Sequence, residues 1–598
     1  MKAIIINRKL SPEEKSSLDR MVSDGARVFE TAQYGITEEE KKKINYEVMD
    51  MVLAFGDKDF EGKPLVDWLK FDESSLWYYH KFRAYFRLRN LKYEIAALNK
   101  LAQDYDGVHY YSADPFLSNV QFPENVQLII TENSSSRKWN YFSLLKYFLI
   151  LKSRWMINVF SPGKLKKPDH IIMDVSKRQV FLDIENLKEN QGNYVIGYML
   201  EKAGKDFLII DEAVQPKMTD GAKIRLDRDG LFGKGSLKRR YLGEPILLNY
   251  FLSGKLKKRK KQLLSKIQKN LGELHGMCSG DEKLLISIYL SFKGASNFYL
   301  IKYLSYKRFF GRNHFKTIAT VDENSPALRS ILDAARTAGI KTIGMQHGNL
   351  HDLHPAYIYT RADAGRNAFP GHNLVWGEFW KAFLMKKGNY PADSMSISGQ
   401  IRTDIIPKLK AESIEKAGLI PGAGNSDRLI VFASQPQRDA GLRERAALDV
   451  MQAVKALPET FLVIKLHPNE RNDIDYYQKL AERSGLDKLL ITLEIDLYLL
   501  ISVCDILITC FSTVGTETIY FHKPLIILDH LKQDIQNYHK EGVALQATNM
   551  EELKDHLESI LNGVSQVDPK AYNKFITKYA FAIDGKAAER ALEVIRKL

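Results

Sequence analysis

CDILITCFSTVGTETIYFHKPLIILD, residues 504–529, decides the fold. It opens on an apolar run around Ile506–Ile508 and closes on another around Leu525–Leu528. Residues 514–522 between them read as helical. Two short strands joined through a helix lie parallel, with a right-handed crossover. Runs without polar alternation suit strands buried on both faces. Ser512 and Thr513 stand where the first strand stops and the helix starts.

The same rhythm runs outward from this unit. DRLIVFASQP (427–436), TFLVIKLHPN (460–469) and KLLITLE (488–494) are further strand-like runs, with helical stretches at 439–456, 474–484 and 495–503. Upstream, FKTIATVDEN (315–324) is a strand ending in acids. SPALRSILDAARTAG (325–339) reads as a helix with Ser at its N-cap, Pro next and Gly at its end. IKTIGMQHG (340–348), HNLVWGEFW (372–380) and DSMSISGQIRTD (393–404) follow. The expectation is an α/β protein with two Rossmann-like, doubly wound domains facing a cleft and meeting near residue 400. Residues 1–400 form an enlarged N-terminal domain, clearest at 315–400. Residues 401–575 form the second domain, and 576–598 a C-terminal helix. The first 310 residues are weakly punctuated. Their strand-like runs are Ala3–Asn7, Val126–Thr131, His170–Met173, Tyr194–Gly197 and Phe207–Ile210.

The chain has 598 residues, a length for several domains or two large ones, and 45% of them are hydrophobic, ordinary for a packed protein. No run of about 20 uncharged apolar residues occurs. The nearest stretch, 140–160, carries Lys146, Lys152 and Arg154 and reads as an amphipathic or buried helix. The N-terminal apolar run, Ala3 to Ile6, is too short for a signal peptide. Three cysteines without C-x-x-C spacing suit a reduced, cytoplasmic setting. The net charge of +14 favours polyanions or phosphorylated substrates. Eight Lys and Arg fall in GKLKKRKKQLLSKIQK (254–269), with Leu263, Leu264 and Ile267 at helical spacing. This segment reads either as an anionic membrane contact or as a solvated helix end. A second basic and aromatic stretch, 74–101, carries Trp77, Tyr78, Tyr85 and Phe86 near helical steps and reads as a packed helix before a nucleic-acid contact.

Ligands of open α/β sheets bind beyond the carboxyl ends of the strands. Those ends gather two histidines, an arginine, a lysine and paired hydroxyls, a set suited to a phosphorylated nucleotide. Ser512 and Thr513 precede a helix whose first amides are unpaired, an anion site or an ordinary N-cap. Glu517, one turn on, is placed for a ribose diol. Lys465 and His467 share a strand end, where an imidazolium neutralises a phosphate, protonates it as it leaves, or caps a turn. Gly399 permits close backbone approach and Arg402 offers a fork for phosphate, or the two form an interdomain turn. Gln435 ends another strand. His347, on Gln346-His347-Gly348, is a candidate base, since a pKa near 6.5 lets it take a hydroxyl proton at neutral pH. Asp322 and Glu323 are the rival bases. No metal-ligand spacing is seen; His347 and His351 are four apart in a loop-like stretch.

QHG, GQIRTD, KLHP and CFSTVGTE, in this order over residues 315–530, resemble the GT-B glycosyltransferases that build bacterial surface polymers. The pattern is similar to CDP-glycerol glycerophosphotransferases and to capsule transferases, including polysialyl- and Kdo-type enzymes. Gln346 and Asn349 stand where the former show Trp and Thr around His-Gly, and Cys510-Phe511 where they show Asp-Tyr. Asp322-Glu323-Asn324 is the nearest match to the acid-acid-Gly motif of the polysialyltransferases. The resemblance implies a GT-B-like fold and transfer from a nucleotide-activated donor, CMP or CDP type before UDP; the lack of metal-ligand spacing, with cationic side chains expected at the phosphates, reads as a metal-independent reaction with no resident cofactor. It implies His467 on the donor phosphate, Ser512 and Thr513 binding phosphate, Glu517 at the ribose and His347 as base. The acceptor is a cell-surface polysaccharide or a lipid-linked chain, not a nucleic acid, and the enzyme sits on the inner membrane face. Inverting and retaining courses stay open. Two alternatives remain, a UDP-sugar 2-epimerase-like enzyme and a basic membrane- or nucleic-acid-binding scaffold.

Overall fold

The computed structural model describes all residues except 30–34, 175–179, 192, 212–238, 241, 438, 566 and, apart from residues 145, 149, 152 and 156, the segment 131–167. Most of the apolar stretch 140–160 therefore lies outside the described residues.

The architecture is α/β and GT-B-like, with two Rossmann-like parallel sheets. The six-stranded sheet runs in the spatial order Leu489–Thr492, Thr460–Lys465, Arg428–Ala433, Ile506–Thr509, Leu525–Leu528, Leu545–Ala547. All its neighbours pair in parallel. The chain therefore winds outward from Arg428–Ala433 in one direction, returns, and winds outward in the other. The reversal falls between Arg428–Ala433 and Ile506–Thr509, and the crevice at such a reversal is where nucleotides bind. Strand residues 429–433, 461–464 and 506–509 are buried on both faces, as their unbroken apolar runs require.

The seven-stranded sheet repeats the logic. Its order is Arg239–Arg240, Phe207–Asp211, His170–Asp174, Thr317–Val321, Lys341–Met345, His372–Val375, Met395–Ile397, again all parallel. Its reversal lies between His170–Asp174 and Thr317–Val321. The first 130 residues add a separate four-stranded parallel sheet, ordered Arg27–Phe29, Lys2–Ile6, Gly107–Ser112, Val126–Ile130. Its core is continuous with the face of the seven-stranded sheet that carries Ile171, Met173 and Ile318.

Three expectations change. Tyr194–Gly197 is a turn entering the helix Gly197–Lys202, not a strand, because the Asn193 side chain caps the amides of Val195 and Ile196. Residues 576–598 hold the end of one helix, Pro569–Ala580, and a second, Ala587–Lys597; the break carries Phe581 and Gly585 at positive φ. In the lysine-rich helix Gly254–Met277, Leu263 and Ile267 do not face outward, since they pack into the protein's own core with Leu271 and Leu274. The aromatic segment behaves as expected. Trp77, Tyr78 and Tyr85 of the helix Leu76–Asp104 are buried, and Trp77 stacks on Tyr289 at 4.9 Å.

Among the described residues no single helix is long and apolar enough to cross a membrane. The pair Gly280–Ser291 and Lys293–Phe310 passes that test only jointly, bent by 56°. Leu284, Leu285, Ile288, Leu300 and Tyr303 from this pair lie in the core.

The last helix returns to the first unit. Asp404, just past the seven-stranded sheet, accepts from the amides of Ala587 (2.8 Å) and Ala588 (2.9 Å). Arg596 pairs with Asp206 at 2.8 Å, and Lys202 with Glu589 at 3.1 Å. Ala587, Ala588, Ala591, Leu592 and Ile595 are buried in the same core as both large sheets. Asp404→Ala removes both caps and should cost about 1–2 kcal/mol. Its melting temperature should fall, and limited proteolysis should cut first between residues 581 and 598. Unchanged proteolysis would show that the cap does not hold this helix.

Candidate functional site at the strand ends

The functional candidates follow the ends of parallel strands, with Glu517 inside the helix that comes after one of them. In the six-stranded sheet, Thr460–Lys465, Arg428–Ala433 and Ile506–Thr509 are successive neighbours, so the segments after them lie side by side. With strands about 4.8 Å apart, His467, Ser434–Gln435 and Ser512 follow one another along that edge.

Glu470 organises the first of these ends. Fully buried, it accepts from the Ser434 hydroxyl (2.6 Å), the Tyr477 hydroxyl (2.9 Å) and the His467 amide (3.2 Å). Arg443 Nε lies 3.5 Å from its carboxylate. His467 Nδ1 accepts the Asn469 amide at 3.1 Å, so a neutral ring carries its proton on Nε2. Lys465 donates to the Leu493 carbonyl at 2.7 Å. Gln435 spans the reversal itself, its Oε1 taking the Phe511 amide at 2.8 Å.

The short helix Val514–Tyr520 starts beyond Ser512. The Ser512 hydroxyl accepts the Val514 amide (3.2 Å), and Tyr538 donates to the Ser512 carbonyl (3.2 Å). Thr513 is exposed. The Tyr538 ring lies 2.6 Å from where a Gly515 side chain would begin, so glycine admits the aromatic brace.

In the seven-stranded sheet, Thr317–Val321 and Lys341–Met345 are neighbours with Val321 opposite Met345. Asp322 and His347 therefore emerge together. Asp322 adopts φ +58°, a backbone region uncommon for residues other than glycine. From there its amide donates to His347 Nδ1 at 3.3 Å, while His347 Nε2 stands 3.7 Å from Asp322 Oδ1. Both side chains are partly exposed. Glu323 departs from its expected place at the open strand end. It is buried, folded into the space Gly344 leaves by lacking a side chain, and hydrogen-bonded by Tyr357. Tyr359 donates to Asn324 at 3.0 Å, and buried Lys81 donates to the Ile358 carbonyl at 2.7 Å. Burial pulls the Lys81 ammonium down to about 7. Burial likewise pulls His354 down to about 4, close to the charge of its neighbour His351.

Arg402 joins the two edges. It follows the last strand of the seven-stranded sheet and reaches Glu517 on the helix beyond Ser512, with Nη2 3.1 Å from Oε1. Its Nε donates to Tyr498 at 2.9 Å, and its guanidinium lies over the rings of Tyr194 and Tyr498 at 4.2 and 4.9 Å. Burial alone would lower its pKa, but Tyr194, Tyr498 and Glu517 more than offset that, and it stays charged. A small cavity runs from Arg402 along Gly399–Ile401 to Trp376, Gln346 and Met345. The residue beside His347 and the partner of Glu517 thus line one space. Gly399 serves a different purpose from the one expected. At φ +84°, a side chain there would meet Arg590, Ala587 and the Ala580 carbonyl, so glycine admits the returning C-terminal helix. Among the described residues no group of three or more His, Cys, Asp or Glu could hold a metal ion.

Tyr194, Tyr498, Tyr538 and Glu470 were not visible as site residues in the sequence. Tyr194 and Tyr498 meet Arg402 from opposite sides of the chain order, and no local spacing announces that. Glu470 had one local signal, its place three residues after His467, where a capping box puts an acid.

Residues 372–597 match the family model of CDP-Glycerol:Poly(glycerophosphate) glycerophosphotransferase. The match spans the whole six-stranded sheet and includes Arg402, His467, Ser512 and Glu517; Asp322 and His347 lie outside it. A comparison with curated proteins gives no match. Among solved structures the chain is similar to the UDP-GlcNAc 2-epimerase of Neisseria meningitidis bound to UDP-GlcNAc, at 13% identity and TM-score 0.44, over 72% of this chain and 99% of that one. It is similar to the UDP-GlcNAc 2-epimerase of Methanocaldococcus jannaschii at 12% identity and TM-score 0.44, over 72% and 99%. It is also similar to the wall teichoic acid polymerase TagF at 11% identity and TM-score 0.38, over 76% and 96%. Likenesses at this level say nothing of substrate.

Arg402→Met leaves Glu517 as a buried carboxylate without its cation and should cost about 3–5 kcal/mol in urea unfolding. Arg402→Met with Glu517→Leu should recover most of that loss. A double variant no more stable than Arg402→Met would show that the pair is not what joins the edges.

Proposed function

We propose that the chain is a metal-independent transferase that moves a glycerophosphate or sugar group from a nucleotide-activated donor to a cell-surface polysaccharide or lipid-linked acceptor. The observation that carries this reading is the glycerophosphotransferase match over residues 372–597, which covers the edge holding His467, Ser512 and Glu517. It favours a CDP-type donor and supports transfer over epimerisation.

In this reading the nucleotide lies at the reversal of the six-stranded sheet. The hydroxyls of Ser512 and Thr513 donate to its phosphates, and Glu517, paired with Arg402, receives the ribose hydroxyls. The acceptor hydroxyl approaches from the Asp322–His347 side. Because His347 Nδ1 takes the Asp322 amide, Nε2 carries the proton of the neutral ring. The ring takes a further proton only by giving up that bond, whereas the Asp322 carboxylate accepts one directly. The two groups act as one pair that removes the hydroxyl proton. As the new bond forms at phosphorus or at the sugar carbon, the bond to the nucleotide phosphate breaks. His467 and Arg402 meet the charge left on that phosphate, in the place a divalent cation takes elsewhere.

Two measurements test this. CMP or CDP should raise the melting temperature, with UDP and GDP doing less; at about 100-fold excess over Kd the stabilisation is about 2.7 kcal/mol. No shift with any nucleotide would sink the donor site. Asp322→Asn and His347→Asn should each lower kcat about 100-fold or more while leaving the nucleotide shift intact. Variants that changed only the donor KM would remove the pair from the proton transfer.

A further inference from the structure

The basic and aromatic helix Leu76–Asp104 buries Trp77, Tyr78 and Tyr85, but part of its aromatic stripe stays outside that core. Phe82 and Phe86 lie one turn apart on the same side, their rings 4.7 Å apart and inclined at 59°. Phe82 is 38% exposed, and so is Tyr46 on the helix Glu38–Asp57. Apolar side chains left open together and rimmed by polar groups mark an interaction site.

This shelf leads to the Asp322–His347 strand end. Its Phe82 ring lies 5.6 Å from the His354 ring, and the Tyr46 hydroxyl donates to Asp352 at 3.1 Å. Asp352 and His354 both belong to the loop that follows His347. His354 in turn is within electrostatic reach of His347 and Asp322. Burial pulls it down to about 4, so at neutral pH it extends the shelf as a ring without a charge. At the other end Arg89 lies over the Phe86 ring at 4.5 Å and donates to the Asn90 side chain at 3.0 Å.

The chemistry of the shelf points to its occupant. An aromatic face packs against the C–H face of a sugar ring, and a guanidinium fork takes a phosphate beside it. Nucleic-acid bases also stack on such rings, but a strand needs a track of cations along its backbone. Arg87 and Lys92, on either side of Arg89 in the chain, are already paired with Asp114 at 2.6 Å and Asp281 at 2.8 Å. The shelf also lies outside residues 372–597, so the family match carries nothing about it.

We propose that Phe82, Phe86 and Arg89 form a subsite for a sugar-phosphate unit of the acceptor chain, with the sugar ring on the phenyl faces and the phosphate on the guanidinium. The acceptor's hydroxyl end then continues past His354 to Asp322 and His347. That role rests on the transfer reading above, whereas the binding itself does not.

Saturation-transfer NMR on the full chain tests it, with glucose 1-phosphate as the probe and excess CDP present to fill the donor site. The ring protons of the probe should be saturated, and glucose without phosphate should bind about tenfold more weakly. Phe82→Ser/Phe86→Ser should lose about tenfold in affinity for the probe, while Phe82→Tyr/Phe86→Tyr keeps it. Arg89→Gln should bind glucose 1-phosphate no better than glucose. Thermal melting checks that the variants fold; if the serine variant does not, Arg89→Gln decides. No saturation of the ring protons, or binding unchanged in a variant that folds, overturns the proposal. So does displacement of the probe by an equal concentration of inorganic phosphate, which would mark a site for the anion alone. Tighter binding of a single-stranded oligothymidylate, lost in the serine variant, would overturn it in favour of a nucleic-acid surface. The nucleotide melting shift is a separate readout, so its failure strikes the donor site and failure here strikes the subsite.

Discussion

The Arg402–Glu517 contact is the constraint on which the site depends. Arg402 leaves the last strand of one sheet, and its charge is received on the first helix beyond the reversal of the other. Two aromatic rings shield that charge. A guanidinium suits the place because it is planar, always charged and able to stack while it donates in its own plane. Lysine would supply the charge without the stacking.

This contact is supported from behind. Gly399 and Asp404 flank Arg402 by a few residues, and both serve the returning C-terminal helix, one by giving room and the other by capping it. Arg590 of that helix also donates to the Ser398 carbonyl at 2.9 Å. The turn GQIRTD thus has two sides. Gly399 and Asp404 hold the end of the chain, and Arg402 reaches across to the other sheet. A single short segment fixes the crossing point between the units.

The fold was legible where the physics is local. Unbroken apolar runs, separated by helical stretches and ended by polar residues, are what doubly buried parallel strands require, and residues 315–530 show them throughout. Placement at strand ends was also legible, because it follows from the run boundaries. Orientation was not. Glu323 and Asp322 are adjacent, yet one folds beneath Gly344 and the other stays at the edge, and the choice is set by Asp322 entering the left-handed region. Lys465 and Gln435 were placed at the right ends but spend hydrogen bonds on Leu493 and Phe511, partners the sequence does not identify. The two tyrosines around Arg402 come from far-separated segments, and the lysine-rich helix showed its apolar stripe without showing which side the core would take.

The two halves of the site differ in how tightly the surrounding structure determines them. On the six-stranded sheet, Glu470, Gln435 and Tyr538 hold the segments around Ser434, His467 and Ser512 through several hydrogen bonds. Opposite, Asp322 and His347 are partly exposed, with the Asp322 amide donating to His347 Nδ1 at 3.3 Å, over a buried layer of Glu323, Tyr357, Tyr359 and Lys81. The rigidity lies one layer down, where the aromatic helix Leu76–Asp104 presses Tyr78 and Lys81 against the loop that follows His347. The enlarged N-terminal region thereby has a mechanical part in the site. It braces that strand end from behind.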